Sequence, residues 1–409
     1  MAGHPHEVSE ESESEEKLHI PTDLQKPLSD VSSSTELETV LSTLGAYHLY
    51  RQTAHSNLTH RRRHQFHALP RYQQSVLSAE PINYLATLGR LDEAIEHNAE
   101  LAEAIFRHSI EAFGIEPEIL SRKDWLMNVT AEDVDKVRST LKQFYRDWSA
   151  EGASEREVCY APVMAALSQR FGHLSPAEKG RISVLVPGAG LGRLAYDIVV
   201  AGYAAQGNEN SFHQLMASNY VLNCTSAARQ HTVHPFINSF SNHRSRTNQL
   251  RGVAVPDVHP PALLARAAEE DRFSMTAGDF VSAYNNAASE SAFDVVATVF
   301  FIDTAVNIFS YLETIHRVLV DGGVWINFGP LLWHWENREA DLKAADEDAQ
   351  GVELTVEEVL EVARNIGFRL EKREKGSCGE YIGNGEGAML KWVYECEFWI
   401  AVKIPRAKE

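Results

Sequence analysis

VLVPGAGLGRLAYD, residues 184–197, runs from an apolar segment through three glycines at every second position into a helical pattern. The apolar segment predicts a buried strand, and the pattern after the glycines predicts a helix that Gly202 closes. A glycine turn between a strand and a helix lets a ligand approach the backbone and points free helix N–H groups at that ligand. The stretch therefore predicts a binding loop in an α/β sheet.

The spacing of Gly188, Gly190 and Gly192 separates this loop from two other glycine motifs. The dinucleotide fingerprint G-x-G-x-x-G would need a glycine where the chain has Arg193, and a P-loop would need a Gly-Lys-Ser or Gly-Lys-Thr that is absent. The pattern resembles the first motif of class I S-adenosylmethionine-dependent methyltransferases, which have a Rossmann-like fold. In that motif an acidic residue usually precedes the first glycine by two positions, and here Val186 stands there.

Beyond the loop, strand-like and helix-like segments alternate, which is typical of a parallel sheet with helices on both faces. A helix is predicted at 308–320, and 391–404 is predicted to add an antiparallel strand at the edge. Buried strands are predicted at 203–209, 273–280, 293–303 and 324–330. The predicted fold class is α/β: a Rossmann-like class I methyltransferase sheet with an N-terminal helical subdomain.

The chain is predicted to have three parts. Residues 1–34, rich in Ser and Glu, are predicted to be a disordered acidic tail. Residues 35–150 are predicted to form a helical subdomain that contributes to the cofactor site. Residues 151–409 are predicted to form the methyltransferase domain, with insertions at about 211–272 and 338–358.

Two local patterns bear on the site. In DVDKVRSTLKQFYRDWS, residues 133–149, apolar residues recur at spacings of three and four, which predicts a helix packed on one side. GSCGEYIGNGEG, residues 376–387, holds five glycines around Tyr381 and is predicted to be a mobile loop over the site.

Composition limits the classes of partner. The formal net charge is −19, and the basic cluster at 61–64 lies in a helical pattern and is interpreted as a solvated face, so no nucleic-acid partner is predicted. No apolar run approaches the roughly 20 residues of a membrane helix, so no membrane partner is predicted. Four cysteines without a C-x-x-C pair indicate a reduced protein of the cytoplasm and/or nucleus. Without an HExxH or Cys/His ligand pattern no metal is predicted, and a homodimer is left open.

Acidic residues end successive predicted strands in the order that a nucleoside needs. Glu209 ends the second strand and is predicted to bind the two hydroxyls of a ribose. Asp279 and Phe280 end the third and are predicted to hold an adenine, while the fourth ends at 299–303, beside the reacting sulfonium. Each acid alone could equally be a helix N-cap or a loop carboxylate.

Longer segments are similar to the carnosine N-methyltransferases, the N2227-like family, over roughly residues 35–404. The segments that carry the resemblance are LVPGAGLGRLAYDI, GYAAQGNE, SNYVLN, FSMTAGDF, FFIDTAVN and GGVWINFGPLLWH. The resemblance implies that S-adenosylmethionine methylates one imidazole nitrogen of carnosine, a small-molecule dipeptide substrate, to give anserine. The cofactor contacts that it implies are Gln143, Arg146, Gly188, Gly190, Glu209, Asp279, Phe280 and Val299. The substrate contacts that it implies are Asp303, His334, Tyr381 and Tyr394, with Asp303 and His334 as the catalytic residues.

The chemistry needs little acid–base help, because a neutral imidazole has an available lone pair and a sulfonium methyl is already activated. A carboxylate at Asp303 that accepts the N–H of the other imidazole nitrogen would select the tautomer and stabilise the cationic product. His334 could instead be a satisfied histidine between two tryptophans, Tyr394 could be core packing, and Arg146 could pair with an acid of its own helix. The nitrogen that is methylated stays open.

Two other functions stay open on the sequence. The predicted insertions could shape a groove for a protein, which would make the chain a protein histidine methyltransferase. The fold could also serve as a non-catalytic scaffold that acts through protein contacts of its acidic tail.

Overall fold

The computed structural model describes residues 34–122, 124–269, 272–337, 350–380, 383 and 387–405. The tail predicted at 1–34 lies outside the described residues except for Ser34, which begins the first helix. Most of the insertion predicted at 338–358 lies outside them as well.

The N-terminal region is helical, and within its described part no strand precedes Ser183, as the sequence predicts. A π-helix, His55–His60, joins the first two α-helices, and a 3-10 helix, Asp124–Asn128, precedes the sixth. The α-helices are α1 (Ser34–Ala54), α2 (Arg61–His67), α3 (Arg71–Ser78), α4 (Tyr84–Ala112), α5 (Pro117–Arg122), α6 (Ala131–Trp148), α7 (Ala153–Phe171) and α8 (Pro176–Lys179).

Helix α6 is the helix predicted at 133–149. Thr130 and Asp133 form a reciprocal capping box at its start, where each side chain accepts the backbone N–H of the other residue. The apolar stripe of the sequence, Val134, Val137, Leu141, Phe144 and Trp148, is buried along its whole length. The prediction of a helix packed on one side is confirmed.

The C-terminal region is built on one seven-stranded sheet in the order β5-β2-β1-β6-β7-β9-β8, within the described residues. Its strands are β1 (Ser183–Pro187), β2 (Ala204–Glu209), β5 (Phe273–Ala277), β6 (Phe293–Val299), β7 (Leu319–Gly329), β8 (Phe368–Glu380) and β9 (Val393–Lys403). The five strands from β5 to β7 in this order are parallel, and β9 runs antiparallel to both of its neighbours. The Rossmann-like α/β prediction is confirmed.

Two predictions about the C-terminal end are wrong. The strand predicted at the edge, β9, lies between β7 and β8, so β8 is the edge strand. Residues 376–380, predicted as part of a mobile loop, belong to β8. The run Lys372-Arg373-Glu374-Lys375 gives β8 no apolar alternation, because an edge strand can carry charges on its exposed sides.

Helices connect the strands and cover both faces of the sheet. They are α9 (Arg193–Val200), α10 (Phe212–Asn223), α11 (Arg246–Gln249), α12 (Pro260–Glu269), α13 (Phe280–Ala283), α14 (Ile308–Val318) and α15 (Val356–Ile366). A separate antiparallel pair of strands, β3 (His231–Val233) and β4 (Val253–Val255), lies between α10 and α12.

Alternate residues of the central strands enter two different cores. Val295 and Ala297 join the core that also contains α6, α7 and α9, whereas Val296 joins the core of α14 and α15. Both faces of the sheet are therefore buried, which is why these strands read as continuous apolar runs rather than as alternating patterns.

Candidate active site

The loop after β1 requires its glycines. Gly188, Gly190 and Gly192 have φ of 64°, 58° and 78°, in the left-handed region that side chains rarely adopt. A Cβ on Gly188 would lie 2.6 Å from the Phe301 ring, and one on Gly192 would lie 2.9 Å from Leu222. The loop is thus packed against its neighbours as closely as a bare backbone permits.

A cavity of about 900 Å³ opens where this loop meets the carboxyl ends of β2 and β6, under α1 and α6. The structure brings together most of the residues that the sequence predicts. Those that line the cavity are Gln143, Arg146, Gly188, Gly190, Glu209, Asp279, Phe280, Val299 and His334.

Glu209, at the end of β2, is tied to the glycine loop. Its Oε2 accepts the N–H of Gly190 at 2.9 Å, and its Oε1 accepts those of Asn210 and Ser211 at 2.9 Å each. Burial raises the pKa of the carboxyl, and the three backbone hydrogen bonds oppose this by stabilising the charged form. The carboxylate is therefore fixed in direction, with lone pairs beyond those the backbone uses.

Asp279 and Phe280 follow β5 at the other side of the cavity. Asp279 caps α13, because its Oδ1 accepts the N–H of Ser282 at 2.9 Å. The ring of Phe280 is buried and lies edge-on to Phe301 and Tyr311, which stack on each other at 4.8 Å. These three rings form an apolar wall beside the carboxylate, as a flat aromatic ligand needs.

Gln143 and Arg146 project from the C-terminal half of α6. Arg146 pairs with the next residue of its own helix, since its Nε donates to Asp147 Oδ1 at 2.6 Å, and it lines the cavity as well. Within the described part of the chain, Gln143 Oε1 is buried and accepts no hydrogen bond. A buried acceptor in this condition is costly unless a ligand satisfies it.

β6 ends at Val299, beside the glycine loop. The next residue, Phe300, has φ of 52°, a strained value for a residue with a bulky side chain. Its N–H donates to Phe328 O at 2.9 Å, which anchors the turn to β7. The strain lies at the strand end where the sequence predicts the reacting centre.

Asp303 lies behind the cavity wall rather than on it. Its side chain is buried, and its Oδ2 accepts the N–H of Leu332 at 2.9 Å. Its backbone carbonyl accepts the N–H of His334 at 3.0 Å, so the 332–334 turn is fastened to it at two points. Burial raises the pKa of the Asp303 carboxyl, and the hydrogen bond from Leu332 and the neighbouring His334 oppose this.

Of the two predicted tyrosines, the structure describes only Tyr394, which lies apart from the nine lining residues. Tyr394, on β9, is half-buried and contacts the Phe300 ring edge-on at 5.8 Å, one side chain away from the cavity. Tyr381 lies outside the described residues. Gly383, two positions on, donates its N–H to Glu155 Oε1 on α7 at 2.9 Å.

Several lining residues have no signal in the sequence that could have identified them. Tyr311 and Asn208 belong to regular elements of the sheet region, where they look like packing residues. Glu36, Thr39, Asp133, Lys136 and His213 come from α1, α6 and α10, and only the fold brings them to the cavity. His213 is buried with its Nε2 4.0 Å from Asp133 Oδ1, and burial lowers its pKa to about 4, so its ring is neutral.

Two absences concern the described residues alone. In that part of the chain, no three His, Cys, Asp or Glu side chains cluster in a way that could hold a metal ion. Its helices include none of the length and apolarity needed to cross a membrane.

This chain is similar to a known protein family, to individual proteins and to solved structures. The sequence pattern of the carnosine N-methyltransferase family matches residues 123–405. The carnosine N-methyltransferase of Schizosaccharomyces pombe is 40% identical over 366 residues, 89% of this chain and 95% of that protein. The one from Mus musculus is 38% identical over 371 residues, 90% of this chain and 86% of that protein. A solved carbon methyltransferase, CurJ, is 14% identical with a TM-score of 0.38, covering 82% of this chain and 71% of that one.

Proposed function

The chain belongs to the carnosine N-methyltransferase family, and from this premise we propose that it methylates an imidazole nitrogen of carnosine with S-adenosylmethionine as the donor. The relatives of 40% and 38% identity are both named carnosine N-methyltransferase, and this chain matches most of the length of each. This membership argues against the alternative of a non-catalytic scaffold.

The cavity suits S-adenosylmethionine, and the unpartnered Gln143 Oε1 is the observation that carries the proposal. The cofactor's ammonium group would satisfy this buried acceptor, and its carboxylate would meet Arg146. Glu209 would accept hydrogen bonds from the ribose hydroxyls, and Asp279 from the adenine amino group beside the Phe280 ring. When bound, the cofactor supplies a methyl group already activated on a sulfonium sulfur.

The acidic lining fits both reactants. Asp133, Glu209 and Asp279 face the cavity, and a sulfonium and the amine of a β-alanyl dipeptide are both cationic. The packed rings of Phe280, Phe301 and Tyr311 form an apolar wall on one side of the cavity, so a bound cofactor would be shielded from water there. Exclusion of water strengthens each of these charge interactions.

We assign the imidazole to the space beside His334. The residues that support this are His334, which lines the cavity, and Asp303, whose buried carboxyl group interacts electrostatically with His334. An imidazole nitrogen would form a bond to the methyl carbon while the carbon–sulfur bond breaks and S-adenosylhomocysteine leaves. The resulting imidazolium would then give its other N–H proton to solvent. The carboxylate of Asp303 stabilises that positive charge in a buried setting, where a charge interaction counts most. Tyr394 and Tyr381 would orient the rest of the dipeptide.

The test compares methyl transfer to carnosine by wild type, Asp303→Asn and Asp303→Ala, with S-adenosylhomocysteine binding measured by calorimetry. Asn can still accept the Leu332 N–H, so the 332–334 turn keeps its anchor and only the charge is lost. We expect kcat to fall by about 100-fold or more in Asp303→Asn, with cofactor affinity unchanged. The methylated product should have the same chromatographic retention time as an anserine standard.

Other outcomes are equally informative. Methyl transfer by Asp303→Asn at the wild-type rate would show that the reaction does not need the negative charge of Asp303. Cofactor binding by wild type without transfer to carnosine would move the substrate to another imidazole compound. No cofactor binding by wild type would overturn the proposal.

A further inference from the structure

Asp257 lies between α10 and α12, far along the chain from both the glycine loop and α6. Its Oδ1 accepts a hydrogen bond from Arg193 Nη1 at 2.7 Å, and its Oδ2 accepts one from Arg156 Nη2 at 2.9 Å. The side chain of Asp257 is 12% exposed, and those of the two arginines are exposed less. Two buried guanidinium groups side by side repel each other, and the carboxylate between them offsets this repulsion, with further help from Asp197 and Asp147.

Both arginines also bind the last carbonyl groups of α6. Arg193 Nη1 donates to Asp147 O at 2.8 Å. Arg156 Nη1 donates to Arg146 O at 2.5 Å and to Ser149 O at 2.7 Å. The last carbonyls of a helix have no partner inside the helix, and the negative end of the helix dipole favours a cation there. The carboxylate thus holds two cations against the end of α6.

Two further hydrogen bonds hold the same end of α6, one of them to the glycine loop. Trp148 Nε1 donates to Leu191 O at 3.0 Å, and Asp257 N donates to Trp148 O at 2.8 Å. Gln143 and Arg146, which face the cavity, lie within the last two turns of α6. Their position over the loop therefore depends on where this end of the helix is held.

We propose that Asp257 is a positioning residue for the cofactor site: through Arg156 and Arg193 it fixes the end of α6 against the glycine loop. The proposal rests on the proposed use of S-adenosylmethionine. It gives a reason for Arg193 at the position where a dinucleotide fingerprint has its third glycine. It also gives the segment between α10 and α12 a part in the site, although Asp257 itself does not line the cavity.

The experiment measures S-adenosylhomocysteine affinity of the full chain by calorimetry for wild type, Asp257→Asn, Asp257→Glu and Asp197→Asn. Asp197 is the matched control, since it pairs with Arg193 Nε at 2.9 Å but makes no hydrogen bond to α6 or Arg156 in the described chain. We expect Asp257→Asn to weaken binding by about tenfold or more and Asp197→Asn by no more than about twofold. Asp257→Glu, which keeps the charge, should recover much of the affinity.

A kinetic comparison separates positioning from general loss of stability. In Asp257→Asn the KM for S-adenosylmethionine should rise by about as much as the dissociation constant of S-adenosylhomocysteine. The KM for carnosine at saturating cofactor should stay within about twofold of the wild-type value. A variant that is only less stable would lose active protein without changing either KM. Unchanged cofactor affinity in folded Asp257→Asn would overturn the proposal.

A second variant covers the case in which Asp257→Asn does not fold. Arg193→Lys keeps the charge but cannot donate to Asp257, Asp197 and the α6 carbonyl together, so it should weaken cofactor binding in the same way. Wild-type affinity in Arg193→Lys, or failure of both variants to fold, would assign the cluster to stability alone. If wild type binds the cofactor but does not methylate carnosine, the proposed substrate is wrong. The affinities of the variants for S-adenosylhomocysteine would still test the role of Asp257.

Discussion

Gly188 shows how a single position sets the shape of the loop. Alanine there would adopt φ of 64° and would place its Cβ 2.6 Å from the Phe301 ring, which itself stacks on Tyr311. The ring cannot move away without disturbing the wall of the cavity. The strain of φ and the steric clash therefore act on the same surface that is proposed to hold the cofactor.

We expect Gly188→Ala to weaken S-adenosylhomocysteine binding by about tenfold or more, with a stability loss of about 1–3 kcal/mol. Gly202→Ala is the control, because Gly202 has φ of 97° but a Cβ there would meet no neighbouring atom within 4 Å, and it lies outside the cavity lining. It should lose stability and keep its affinity. Calorimetry measures the affinity and thermal melting measures the stability. Equal affinities in the two variants would show that Gly188 has no special part in cofactor binding.

At the residue scale, the sequence predicted cavity residues that follow strands, and the family resemblance added Gln143 and Arg146 from α6, but neither indicated His213 or Asp133. Glu209 and Asp279 could be found because the carboxyl ends of parallel strands meet at one edge. His213 and Asp133 could not, since they come from helices whose mutual position is set only by packing. Asp303 was predicted in contact with substrate, but its 3-10 turn, Ile302–Thr304, directs it into the core behind His334.

At the scale of elements, α6 joins stability to the site. Its stripe of Val137, Leu141, Phe144 and Trp148 is buried in the core, while Gln143 and Arg146 face the cavity. The sequence predicted this helix well because a periodic apolar stripe is a local signal. It did not predict β8, because the pairing of an edge strand depends on its neighbour and the charged run of this strand shows no apolar alternation.

The capping box of α6 gives a prediction about stability. Thr130→Ala removes the oxygen that accepts the Asp133 N–H at 3.1 Å, and we expect the free energy of unfolding to fall by about 1 kcal/mol. Thr130→Ser keeps that oxygen and should stay close to wild type. Urea denaturation of the three proteins checks this, and equal losses in both variants would show that the methyl group rather than the cap matters.

At the scale of the whole molecule, buried histidines link folding to pH. Burial lowers the pKa of four histidines in the described chain: His108, His213, His231 and His234. An unfolded histidine has a pKa near about 6.5, so on acidification the unfolded chain takes up protons that the folded chain does not. Stability from these groups is present above about pH 6.5 and is lost as the pH falls. Asp197, Glu209 and Asp303, whose pKa values burial raises, act in the opposite direction.

His213 isolates one part of this balance, because its pKa falls to about 4 and its neighbours are known. Asp133 and Glu132 favour its protonation and Lys136 opposes it, but burial outweighs all three. His213→Gln removes the titrating ring. At about pH 7.5 the variant should be the less stable protein, since it loses packing in the core. On going to about pH 4.5, the wild type should lose about 2 kcal/mol relative to the variant. Urea unfolding of both proteins across this range measures the difference, and a difference that does not change with pH would show that His213 has the same pKa in the folded and the unfolded chain.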